Sequence, residues 1–200
     1  MNKQERPMRH MDRDLRGAVV VINNHIVRGK RDDTAGPLAV DVLAESRVYV
    51  RDDAWRAIAE LPGTLSQGDD PQPVPGTLLY HCNEVYDDVV AALRAAIAAG
   101  ARVILTVGGT GISRGDIAPE ATASLLEIQM DGVVQQVRDH GLTKTPLASL
   151  SRGLVGITHR GPGGVLIVNA PGSRGGVKDS LEVVCPLLPH IFEQLDDQME

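Results

Sequence analysis

The sequence predicts an α/β domain in which a buried parallel sheet is covered by helices. Three observations carry this prediction. Residues 18–22 (AVVVI), 103–107 (VILTV) and 165–168 (VLIV) are apolar runs without polar alternation, the mark of strands buried on both faces. Hydrophobic residues make up 42% of the chain but aromatics only 2%, so the core is built from Val, Leu, Ile and Ala. Two of the three strands run into glycine-rich loops that lead to helices, as in βαβ units. A length of 200 residues fits one domain with a core large enough to be stable without staples.

Taken in order, residues 1 to about 16 read as a disordered, mixed-charge tail, and one domain fills 17–200. After the first strand, a polar loop over 23–33 carries Arg28, Lys30 and Arg31. Asp33 or Thr34 can cap the next helix and Pro37 fits its first turn, with Leu38, Val42 and Leu43 on one face. Residues 48–50 suit a short strand and 53–61 a helix. The stretch 62–76 holds four prolines and three glycines and reads as an exposed insertion. Residues 78–80 form a strand. An Ala- and Leu-rich helix follows over 86–99, with Gly100 as its stop. After the strand 103–107 and its glycine turn, Pro119 opens a helical stretch to about His140, interrupted near Gly132. Residues 154–157 are apolar, 160–164 form a turn, and 165–168 are the third buried strand. Residues 169–176 (NAPGSRGG) form a second glycine-rich loop, and Pro186 and Pro189 interrupt a final helix over 177–195.

The formal net charge of −6 argues against a nucleic-acid partner, which needs phosphate-neutralising Lys and Arg. No apolar run approaches the ~20 residues of a membrane span, and the polar N-terminus lacks the apolar middle of a signal peptide. A soluble cytoplasmic protein without a membrane partner is expected. Cys82 and Cys185 sit in apolar settings without metal-ligand spacing and read as free thiols of a reducing compartment.

The chemistry concentrates in the two loops. Gly108, Gly109 and Gly111 let the backbone take positive φ and approach a ligand closely, so that successive N–H groups form an anion nest. Thr110 and Ser113 add hydroxyls, Arg114 adds positive charge, and the helix after Pro119 brings its dipole. The spacing matches neither a P-loop nor a dinucleotide fingerprint. Asp116 is the odd member, because a carboxylate repels phosphate unless Mg²⁺ joins them. The alternative is that Asp116 caps the following helix. In the second loop, Pro171, Gly172 and Ser173 precede Gly175 and Gly176, and Lys178 offers an ammonium. Two anion sites on one sheet edge point to a ligand with phosphate at both ends, or to two ligands.

At these residues the chain resembles the MoaB/Mog type of molybdenum cofactor biosynthesis protein, the molybdopterin adenylyltransferase family. Four segments match in order and spacing: 19–37, 107–122 (VGGTGISRGDIAPEAT), 150–156 (LSRGLVG) and 171–174 (PGSR). The resemblance implies a three-layer α/β/α sandwich with a mostly parallel sheet, assembled as a homotrimer or homohexamer. It implies transfer of AMP from Mg-ATP to the terminal phosphate of molybdopterin, with release of pyrophosphate. Asp116 and Glu84 match the family's two acidic residues and would be the catalytic and Mg²⁺-binding pair. The molybdate-insertion protein is the implied protein partner. Several positions depart from the family pattern. Asn23-Asn24 replaces Ser-Asp, Glu84 is one methylene longer than the family's Asp, and Arg114-Gly115 replaces Pro-Arg. Ala118 replaces a Thr read as the cap of the next helix, a loss of about 1 kcal/mol, and Arg174 replaces a proline. A non-catalytic molybdopterin-binding oligomer or scaffold is the alternative function.

Overall fold

The computed structural model describes residues 14–50 and 77–197. Strands β1 (Leu15–Ile22), β2 (Val48–Tyr49), β3 (Leu79–Cys82), β4 (Val103–Val107), β5 (Ile128–Gln129), β6 (Val155–Ile157) and β7 (Leu166–Ala170) form one sheet. The helices are α1 (Asn24–Val27), α2 (Gly36–Glu45), α3 (Tyr86–Ala98), α4 (Ala118–Ala123), α5 (Asp131–Leu142), α6 (Arg174–Val184) and α7 (Leu188–Asp196). Short 3₁₀ turns occupy Pro146–Leu150 and Cys185–Leu187.

The strand order is β2-β1-β4-β7-β6-β5, with β3 also on β1. β2 and β3 share one edge of β1: Leu15 and Arg16 pair with Val48 and Tyr49, and Val19 to Ile22 pair with Leu79 to Cys82. These contacts, β1–β4 and β4–β7 are parallel, whereas β5–β6 and β6–β7 are antiparallel. α2, α5 and α6 pack as one helical layer, and α3 and α4 as the other. The sheet is therefore mostly parallel with flanking helices, as expected. Every residue of β4 and β7 is buried, which explains why those strands show no polar alternation. Each fully buried Val, Leu or Ile contributes roughly 1.5–3 kcal/mol.

Local signals acted as read at several boundaries. Gly100 takes φ 82° after α3, and the Ala101 N–H returns to the Ala96 carbonyl at 3.1 Å, satisfying an end carbonyl. The 3₁₀ turn holding Pro186 separates α6 from α7.

Other boundaries moved. The strand β1 begins at Leu15, two residues before the domain start read at 17. At the start of α2 the cap residue is Ala35, not Asp33 or Thr34, and it makes no side-chain cap bond. Asp33 Oδ1 instead accepts the Ala35 and Gly36 N–H groups at 3.1 and 2.8 Å from two residues before the cap. Gly36, Ala39 and Leu43 are the buried face of α2, with Leu38 and Val42 only half-buried. The stretch after Pro119 is not one helix broken at Gly132. It is α4, a turn, β5 and α5, and Gly132 lies inside α5. The second glycine loop is also shorter than read, because Gly175 and Gly176 belong to the first turn of α6. Asn169 is a buried residue of β7 rather than a loop residue. It donates to Thr106 Oγ1 at 2.9 Å and Thr122 Oγ1 at 2.8 Å, and accepts the Leu154 N–H at 3.0 Å, so β4, α4 and the approach to β6 share one polar clasp. The helix expected at 53–61 and the insertion at 62–76 lie outside the described residues.

Cys82 is buried and free, and Cys185 is half-buried and free. Burial, reinforced by nearby Asp88, pushes the Cys82 thiol up to about 12, which leaves it protonated and inert. No helix among the described residues is long and apolar enough to cross a membrane.

Candidate functional site

Parallel pairing sets Val21 beside Val107 and Val107 beside Ala170, so β1, β4 and β7 end together. The loops that follow them leave from one edge of the sheet, where open α/β sheets bind ligands. The glycines bring the loops after β4 and β7 into backbone contact. A Cβ on Gly172 would stand 3.3 Å from Gly108 Cα. A Cβ on Gly108 would stand 2.7 Å from the Ile22 carbonyl oxygen, and Gly108 takes φ 98°. Only glycine fits there.

Gly109 follows at φ 66°. The N–H groups of Gly109, Thr110 and Gly111 donate to no acceptor among the described residues. They are open donors at the strand end, with Thr110 buried beneath them. The turn beyond is held from a distance by Arg152. Its backbone N–H donates to the Thr110 carbonyl at 2.8 Å, its Nε to Gly111 O at 2.7 Å and its Nη2 to Asp116 O at 2.5 Å. Its Nη1 pairs with Glu120. The hydrogen bond from Arg152 holds the Glu120 carboxyl below its ordinary range, and Glu120 in turn raises Arg152. Sequence reasoning passed over Arg152, although the LSRG segment of residues 150–153 was in view.

Asp116 does not cap the following helix. Its Oδ2 accepts the Ser113 N–H at 2.7 Å, and its own N–H donates to Ser113 O at 3.0 Å, closing a small turn. Nor is Ala118 the cap. It is the first residue of α4, fully buried, and its N–H donates to the Gly109 carbonyl at 3.0 Å. Position 118 is therefore not where a cap would act, and α4 starts from Ile117 without a side-chain cap bond. With six residues, α4 also supplies less dipole than the sequence reading assigned it.

Glu84 stands next to this turn. A Cβ on Gly115 would lie 2.7 Å from Glu84 Oε2. Asn24 Nδ2 donates to Oε2 at 3.1 Å and the Asn24 N–H to Oε1 at 3.4 Å, while the Glu84 N–H donates to Asn24 Oδ1 at 3.0 Å. Glu84 and Asp116 thus flank one residue, Gly115. Each carboxylate uses one or two of about four acceptor positions, so hard oxygen donors remain. That donor set fits Mg²⁺, which binds through one or two carboxylates plus phosphates.

The second loop is a helix N-terminus. Ser173 caps α6, its Oγ accepting the Gly176 N–H at 3.0 Å. The Gly172, Ser173, Arg174 and Gly175 N–H groups meet no acceptor among the described residues. Pro171 packs on Gly176, where a Cβ would come within 2.6 Å of the proline ring. Together with the open N–H groups after β4, this makes two donor clusters touching at Gly108 and Gly172. Ser113 and Arg114 are exposed beside the first cluster. Lys178 is exposed on α6, beyond the cap, with no ion pair among the described residues.

A cavity of about 30 Å³ opens where the loops meet, lined by residues that include Asn23, Arg31, Asp33, Gly108 and Gly172. Asp33 Oδ2 pairs with His81 Nε2 at 2.9 Å. Burial acts to raise Asp33, but the His81 and backbone hydrogen bonds prevail and hold it below its ordinary value. Elsewhere His140, Asp179 and Glu182 bring ligand atoms within 4.8 Å of one another, but Lys144 Nζ already donates to Asp179, and to Glu182 at 3.4 Å. An ammonium fills that cluster, not a metal position.

Residues 18–190 match the family described as "Probable molybdopterin binding domain". The chain is 26% identical over 175 residues to the molybdopterin adenylyltransferase of Helicobacter pylori strain J99, covering 88% of this chain and 84% of that one. The crystal structure of a molybdopterin biosynthesis protein from Mycobacterium abscessus superposes with a TM-score of 0.71 at 31% identity, covering 90% of this chain and 96% of that one. The chain is also 41% identical over 98 residues to the molybdenum cofactor synthesis protein cinnamon of Drosophila melanogaster, 49% of this chain but only 16% of that protein. It spans between 12% and 44% of three further curated relatives.

Proposed function

The chain belongs to the molybdopterin-binding domain family, and from that premise we propose that it is a nucleotidyltransferase of molybdenum cofactor biosynthesis. It moves AMP from ATP to the terminal phosphate of molybdopterin. The observation that carries this reading is the meeting of two open N–H clusters at Gly108 and Gly172, beside the carboxylates of Glu84 and Asp116. Two anions brought edge to edge are what a reaction between two phosphorylated substrates requires.

In that reaction an oxygen of the molybdopterin phosphate attacks the α-phosphorus of ATP. The bond from that phosphorus to the bridging oxygen breaks, and pyrophosphate leaves with the electron pair. No protein nucleophile is needed. Positioning and charge neutralisation supply the catalysis. The N–H groups of residues 109–111 and of the α6 N-terminus bind phosphate oxygens without reorganising. Arg114 and Lys178 add positive charge at the rim. Glu84 and Asp116 would hold Mg²⁺, whose charge offsets that of the phosphates.

The test is direct. Purified protein is incubated with molybdopterin and Mg-ATP, and adenylylated pterin and pyrophosphate are measured. The proposal expects both products in equal amounts. Tight pterin binding without pyrophosphate release would instead establish the non-catalytic, cofactor-carrying role.

A further inference from the structure

We propose that Asn24 and Gly115 are positioning residues that together fix the Glu84 carboxylate beside the Asp116 turn, an inference that rests on Glu84 acting on the phosphates as proposed above. Two contacts from different elements carry it. Asn24, the first residue of α1, grips Glu84 at both ends. Its Oδ1 takes the Glu84 backbone N–H at 3.0 Å, and its Nδ2 donates to Oε2 at 3.1 Å. A carboxamide accepts and donates at once, whereas aspartate at this position would only accept and would set two carboxylates in contact.

Gly115 is the opposite wall. A Cβ there would stand 2.7 Å from Glu84 Oε2, 3.1 Å from Glu84 Cβ and 3.4 Å from Cδ. The Glu84 side chain therefore lies along bare backbone, one residue before Asp116. Gly115 is not among the glycines with positive φ, so the turn itself does not demand glycine. The space taken by Glu84 does.

This separates position from fold. The nearest atom to an alanine methyl at 115 is Glu84 Oε2, the far end of a flexible side chain. Glu84 Cβ at 3.1 Å has to yield only a few tenths of an ångström, so the carboxylate gives way while the turn keeps its path. The experiment measures pyrophosphate release for the full chain and for Gly115→Ala, Glu84→Asp and the double variant, with thermal midpoints and a crystal structure of Gly115→Ala. Displacing a reacting group by about an ångström can lower turnover ~100-fold, and the expectation for Gly115→Ala is a fall of about 10-fold or more. Its thermal midpoint stays near that of the unaltered protein, because the restriction alanine places on the unfolded chain offsets the small displacement at Glu84. In the double variant the shorter acid clears the methyl, so turnover exceeds the product of the two single effects. Asn24→Asp also lowers turnover. In the crystal structure of Gly115→Ala, Glu84 is shifted off Asn24.

Single effects that simply multiply, with Glu84 still on Asn24 in the Gly115→Ala crystal structure, would overturn the proposal. If the unaltered protein releases no pyrophosphate, the adenylyl-transfer reading fails on its own. The crystal structure then decides the positioning claim alone: Glu84 displaced from Asn24 supports it, and Glu84 unmoved overturns it.

Discussion

The loop after β4 and the loop after β7 leave the same sheet edge and present the same open N–H groups, yet they are held differently. The second is local: Ser173 caps the helix that follows it, and Pro171 packs on Gly176. The first is held from far along the chain. Arg152 binds Gly111 and Asp116 from 41 and 36 residues away, and Gly108 is wedged against Ile22 and Gly172. A loop fixed by its own sequence tolerates change locally. A loop fixed by distant partners transmits any loss to the whole site.

Gly108→Ala gives the largest expected effect. Strain at φ 98° adds to a Cβ only 2.7 Å from the Ile22 carbonyl, and both neighbours are backbone that cannot rotate away. A loss of roughly 3 kcal/mol is expected in urea denaturation. A loss below about 1 kcal/mol would mean that the first loop yields as readily as the second.

Asp116→Asn comes next, and it separates chemistry from support. The amide oxygen can still accept the Ser113 N–H, so stability should hardly change. Turnover in the pyrophosphate assay should fall ~100-fold, about 2.7 kcal/mol of barrier. Normal turnover would leave Asp116 with only its turn-closing role.

Arg152→Ala removes the fork that joins two carbonyls of the first loop to Glu120. The side chain is 39% exposed, so the Glu120 ion pair is discounted and the carbonyl bonds dominate. A loss of about 2 kcal/mol is expected, together with reduced turnover. Arg152→Lys should recover little, because an ammonium cannot span the fork. Full recovery by lysine would show that charge alone, not geometry, holds the loop.

The same distinction explains what could be read from sequence. The runs of β1, β4 and β7 and the Gly100 stop depend on neighbours in the chain, and they were legible there. The second loop was legible in its place but not its length, since Gly175 and Gly176 belong to α6. The segment from 124 to 130 was not. Its apolar spacing continues a helix, but Glu127 and Met130 N–H groups pair with the Ile157 and Val155 carbonyls at 2.9 and 2.7 Å, which draws β5 onto β6. Asn169 looked like the start of a loop because Thr106, Thr122 and Leu154, which satisfy it in β7, are remote in sequence. Glu84, Asn24 and Gly115 each stood out singly as departures from a family pattern. That they touch one another is visible only in three dimensions.

Smaller effects belong to the second loop. Ser173→Ala should cost about 1 kcal/mol through loss of one cap, measured by urea denaturation, with the first loop undisturbed. Gly175→Ala should do the reverse. A Cβ there meets nothing within 4 Å, its φ is not positive, and it lies in the first turn of α6. Alanine should therefore raise stability by about 0.5 kcal/mol, through helix propensity and a more restricted unfolded chain. Turnover gives the sharper reading of this variant. The Gly175 N–H is one of the open donors, and alanine retains it. Unchanged turnover with higher stability fits a phosphate held by backbone N–H groups alone. A marked fall in turnover would mean that the ligand occupies the space a methyl takes, which would bring the second loop as close to its ligand as the first.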